Sequence, residues 1–74
     1  MKWLTMIAKE KVAAFLVAQK PRSFCDECLA RALGIDPSTA YRAAVKTGRS
    51  ETYIREYGVC WNCDESRLIS RASR

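Results

Sequence analysis

Four cysteines fall as two Cys-x-x-Cys pairs, Cys25/Cys28 and Cys60/Cys63, in a chain with no histidine and no fifth cysteine. Two thiolates spaced by two residues can turn onto one ion. Two such hooks supply the four sulfur ligands of a closed tetrahedral zinc site. The spacing therefore predicts one structural zinc held by Cys25, Cys28, Cys60 and Cys63, with no coordination position open to a substrate. Residues 30–59 between the hooks form a longer stretch than a compact zinc ribbon has, so a folded insert is expected there.

Size makes the staple useful. A 74-residue chain reads as one domain, residues 1–74, in a range where a hydrophobic core alone supplies roughly 3–5 kcal/mol. Metal bound by ligands that are disordered in the unfolded chain adds its binding energy directly to folding. Thirteen Lys and Arg against eight Asp and Glu give a formal charge of +5. Zinc held by four thiolates carries a local charge of −2 and brings the loaded chain to about +3. That balance favours an anionic partner without selecting among nucleic acid, acidic protein and lipid surface. The N-terminal apolar run is soon interrupted by Lys9, Glu10 and Lys11, too short for a signal peptide or a membrane span. The expected location is cytoplasmic, where reduced thiols bind metal rather than pair as disulfides.

Apolar residues recur at helical spacing over 3–19 (Leu4, Ile7, Ala8, Val12, Phe15, Leu16), predicting a first helix ended by Pro21. Trp3, Met6, Ala13, Ala14, Val17 and Ala18 widen the stripe beyond one face, so either a partner copy covers the second side, giving a homodimer through helix 3–19, or small alanines lie half exposed. A brief extended segment at Arg22, Ser23 and Phe24 leads into a short helix carrying the first hook, with Asp26 and Glu27 in its first turn and Gly34 as a left-handed stop. Asp36 as N-cap and Pro37 at the first helical position begin a third helix that halts at Gly48. The two last helices form a helix-turn-helix. Beyond Glu51 the chain turns to β-branched and aromatic residues, predicting a two-stranded hairpin with the second hook near its turn.

Helix, brief strand, helix, turn, helix and hairpin is the order of a winged helix-turn-helix, an α+β fold. Ser23-Phe24, Leu29-Ala30-x-x-Leu33-Gly34-Ile35 and Pro37-Ser38-Thr39-Ala40-Tyr41-Arg42 resemble the helix-turn-helix of winged bacterial transcription regulators. The second helix of the pair is similar to the recognition helix of the IclR-type regulators. The zinc hooks, and Ala43 and Ala44 in place of larger aliphatic residues, lie outside that family's pattern. The resemblance implies a small transcriptional regulator that binds double-stranded DNA sequence-specifically, with the third helix in the major groove. Ala40, Ala43, Ala44 and Thr47 would then face the core. Ser38, Thr39, Tyr41, Arg42 and Lys46 would face DNA, Arg42 reading guanine, with Arg49 on phosphate and Arg55 and Arg67 as wing contacts.

Three other readings compete. Tyr53, Tyr57 and Trp61 either stack bases or fill the core, Trp61 shielding the metal. Catalysis is not expected, because no histidine is present to act as base, and Asp26-Glu27 and Asp64-Glu65 read as solvated charges beside the hooks; no small-molecule substrate is implied. A winged helix can also serve as a protein-docking adaptor without touching DNA.

Overall fold

The computed structural model describes residues 7–73. Trp3, Leu4 and Met6 of the expected first helix lie outside them. Three helices and three strands follow in the order α1 (Ala8–Ala18), β1 (Phe24–Cys25), α2 (Asp26–Leu33), α3 (Pro37–Thr47), β2 (Tyr53–Val59) and β3 (Ser66–Ala72). No helix among them is long and apolar enough to cross a membrane.

α1 is N-capped by Ile7, whose backbone N–H donates to the Glu10 carboxylate at 3.3 Å. Its Val12 and Leu16 are fully buried, while Ile7 and Val17 are exposed. α2 starts from Cys25 as N-cap and closes on Gly34, whose φ of 66° lies in the left-handed region. A Cβ there would meet nothing within 4 Å, so glycine answers the backbone conformation and not crowding. α3 is capped as its sequence predicts: the Ser38 backbone N–H donates to the Asp36 carboxylate at 3.1 Å, with Pro37 at the first helical position. At its far end Gly48 has an ordinary helical φ of −68°. What it supplies is space, since a Cβ at this position would lie 3.0 Å from the Arg55 Cβ.

α1 packs mainly on α3, and α3 on α2. Ala40, Ala43, Ala44 and Thr47 form the buried face of α3, the set that helical spacing predicts. Small side chains here let helix backbones approach closely, with the larger Leu16, Leu29 and Val12 filling the space between elements. Thr47 is buried with its hydroxyl donating to the Ala43 carbonyl at 2.8 Å, so the core carries this polar group without an unmet bond.

The sheet corrects one expectation. The hairpin has not two strands but a third partner: β1 pairs antiparallel with β3, Phe24 opposite Ser70 and Cys25 opposite Ile69, giving the order β1-β3-β2. A two-residue strand has no alternation for sequence reasoning to detect. Its pairing nonetheless fixes where the first hook sits relative to the hairpin. Replacing Gly34 with Ala is expected to cost about 1 kcal/mol, the penalty of a left-handed L-residue, in urea unfolding of the metal-loaded protein.

Candidate metal centre

The four cysteine sulfurs converge from three elements. Cys25 closes β1 and caps α2, Cys28 lies in the first turn of α2, and Cys60 and Cys63 come from the turn joining β2 to β3. That turn is tightened by Cys60 N–H donating to the Glu65 carbonyl at 2.9 Å and Asp64 N–H donating to the Cys60 carbonyl at 2.8 Å. Asp64 itself takes a φ of 63°, a left-handed conformation that Asp tolerates better than bulkier residues.

All four Sγ atoms lie within 4.8 Å of one another. Cys25 and Cys63 Sγ are 3.8 Å apart, and Cys28 and Cys60 Sγ 3.7 Å. A tetrahedron with metal–sulfur bonds of about 2.3 Å has edges of about 3.8 Å. The cluster therefore fits a single tetrahedral metal ion, and no disulfide joins the thiols. Cys25, Cys28 and Cys60 are buried; Cys63 is exposed.

Several N–H groups point at the sulfurs. The Cys25 backbone N–H donates to Cys60 Sγ at 3.3 Å, and the Asn62 side-chain amide donates to Cys28 Sγ at 3.3 Å. Without metal the thiols differ sharply. Burial pushes Cys28 up to about 12, the Asn62 amide offsetting only part of the rise. Burial acts on Cys60 in the same direction, but backbone N–H groups of Cys25, Cys63 and Asn62 outweigh it and bring that thiol to about 7. Four thiolates this close repel one another, and a bound cation is what makes the fully deprotonated set stable. Asn62 carries no signal in sequence beyond its place inside the hook.

The carboxylates beside the first hook are structural, not merely solvated. Asp26 takes a bidentate ion pair from Arg55, with both N–O distances 2.9 Å. Arg55 also donates to the buried Ser70 hydroxyl at 3.1 Å and stacks over Tyr41 with its guanidinium carbon 5.5 Å from the ring centroid. Only 12% of the Arg55 side chain remains accessible. Arg67 pairs with Glu27, and a Glu65 oxygen lies 3.7 Å from its Nε; the bond from Arg67, then its charge, holds the Glu27 carboxyl below its ordinary value. Both arginines expected on a DNA-facing wing thus grip α2 from the hairpin.

The remaining expected contact residues lie on α3 or just past it. Ser38 uses its hydroxyl on Asp36, and this bond, before the Ser38 backbone N–H, holds the Asp36 carboxyl low. Tyr41 is half exposed beneath Arg55. Arg42, Lys46 and Arg49 are exposed. Thr39, Arg42 and Lys46 line one side of a groove whose other side includes Lys9 of α1.

Of the aromatics, Tyr53 packs at the core with its hydroxyl 3.4 Å from the Ala13 carbonyl oxygen, whereas Tyr57 is 75% exposed. Trp61 continues an aromatic row: Phe15 and Phe24 centroids are 5.0 Å apart, Phe24 and Trp61 5.9 Å. The Arg22 guanidinium sits 4.2 Å above the Trp61 ring, an arrangement favourable for a cation over indole. Trp61 shares an open cleft of about 400 Å³ with Cys28 and Asn62.

No protein-family model matches the chain, and no curated protein or solved structure matches it significantly.

Protein purified under reducing conditions is expected to contain one metal ion per chain, and Cys60→Ser to abolish stable binding together with cooperative unfolding. Because the metal-free thiols hold protons that the metal displaces, affinity should fall as pH falls, most steeply below about 7 where Cys60 also protonates. Competition with a chromophoric chelator across that range measures it. Asp26→Asn should cost about 2 kcal/mol in denaturant unfolding, since it leaves the sheltered Arg55 without its counter-charge.

Proposed function

We propose that the chain is a winged helix-turn-helix stapled by one structural zinc, binding duplex DNA with α3 in the major groove. The donor set supports zinc: four thiolates that can close a tetrahedron suit it, and a closed four-sulfur zinc site is structural. The element order, together with β1 joining the sheet beside β3, supports the winged-helix reading.

The observation that carries the DNA reading is the division of α3 into two faces. One face is the buried Ala40, Ala43, Ala44 and Thr47. At 100° per residue the opposite side centres on Ser38, Arg42 and, past the cap, Arg49, with Thr39 and Lys46 on the α1 flank and Tyr41 on the hairpin flank. No acidic residue occurs between Pro37 and Thr47, so this helix offers duplex DNA a positive, donor-rich surface. Thr39, in its first turn, suits phosphate, whereas Ser38, whose hydroxyl and N–H both bond the Asp36 carboxylate, would have to exchange that partner to reach DNA; Arg42 suits the paired acceptors of guanine. Exposed Ile7 and Val17 on α1 are consistent with a dimer that reads two half-sites.

A second reading has its own support. Tyr57 and Leu68 face each other across β2 and β3 and are both exposed, a surface suited to a docked protein in an adaptor. A salt titration separates the two. Duplex affinity should fall steeply with salt through counterion release, and Arg42→Ala should weaken it by about 1–3 kcal/mol while metal content and circular dichroism stay unchanged. Absence of duplex binding at low salt, or an Arg42→Ala variant that binds equally well, favours the adaptor.

A further inference from the structure

Among the described residues, the hairpin's arginines are neutralised where they stand. Arg55 pairs with Asp26, Arg67 with Glu27 and Arg71 with Glu56. The unpaired positive charge lies elsewhere. Lys9, Arg42 and Lys46 take part in no ion pair among the described residues and line the same groove, about 220 Å³ in volume, between the start of α1 and the flank of α3. Ala8 and Ala43 also line it, small side chains that leave room for a ligand between the cations. Thr39 adds a hydroxyl from the first turn of α3. Two carboxylates on or beside these helices keep their charge while accepting hydrogen bonds: Glu10 accepts the Ile7 N–H, and Asp36 holds Ser38, with the Arg42 charge near enough to help lower the Asp36 carboxyl.

We infer that this groove is a phosphate-binding site in which Lys9 of α1 joins Thr39, Arg42 and Lys46 to hold a backbone phosphate of the duplex. The inference rests on the DNA reading above and changes its footprint: the surface facing the nucleic acid runs from α3 onto α1, not from α3 onto the hairpin. A cleft walled by three cations and a hydroxyl matches the charge and acceptor oxygens of a phosphodiester. Lys9 lies outside the helix-turn-helix, where a motif-based search for contacts does not look.

The test uses the full metal-loaded chain and the slope of log affinity against log salt for a duplex. Lys11→Ala is the control, because two residues along a helix rotate the side chain by about 200°, away from the groove. Lys9→Ala should reduce the slope by about one unit and low-salt affinity several-fold; Lys11→Ala should change the slope much less. If Lys9→Ala behaves as Lys11→Ala does, the groove site is overturned while duplex binding by α3 stands. If the unmodified chain binds no duplex at all, the DNA reading falls, and titration with inorganic pyrophosphate followed by NMR judges the groove alone. Amide shifts at Thr39 and Lys46 that vanish in Lys9→Ala support an anion site there; no shifts overturn it.

Discussion

Four sulfur atoms gathered within 4.8 Å can all be thiolates only if a cation holds them together, and the rest of this fold is arranged around that requirement. One hook lies at the start of α2 and the other in the turn between β2 and β3, so one ion would tie the entrance of α2 to the far turn of the hairpin. A cross-link that closes a long loop removes conformational freedom from the unfolded chain, an advantage that counts most in a domain whose core is built so largely from alanine. The N–H groups of Cys25 and Asn62 that point at the sulfurs are oriented by the same turn and helix start that present the ligands.

Around that centre runs an electrostatic seam. Asp26 and Glu27, between the two cysteines of the first hook, each reach an arginine of the hairpin. The hairpin is therefore joined to α2 by charge as well as by sulfur, and Arg55 also bridges to Tyr41 of α3. Ion pairs at the surface contribute little, but the Asp26–Arg55 pair is sheltered, bidentate and shared with the buried Ser70 hydroxyl. It fixes direction: with α2 and the hairpin locked, α3 is left facing solvent with its cationic side.

Much of this was legible in the chain itself. The hooks announced the sulfur cluster, and Gly34 followed by Asp36-Pro37 marked where α2 ends and α3 begins, because caps and left-handed stops are local chemistry. Helical spacing alone separated Ala40, Ala43, Ala44 and Thr47 from the exposed face. What stayed hidden depends on contact between distant residues. β1 is too short to have a period, and its partner lies at the other end of the chain. Arg55 looked like any exposed basic residue; nothing in its own surroundings reveals a carboxylate 29 positions earlier. Lys9 has no local signal either, since only the packing of α1 on α3 brings it into one groove with Lys46.

The pairing of β1 with β3 has a consequence for how the molecule forms. Phe24 must find Ser70, and contacts this far apart in sequence are slow to make, because the intervening chain loses its freedom before any contact rewards it. Each Cys-x-x-Cys hook, by contrast, is local and can capture an ion early. An ion held by one hook and then found by the other would bring β1 and the hairpin turn together before the sheet closes. In that order of events the metal acts as a matchmaker for the strands, and the rate at which the chain folds would depend on how much free metal surrounds it.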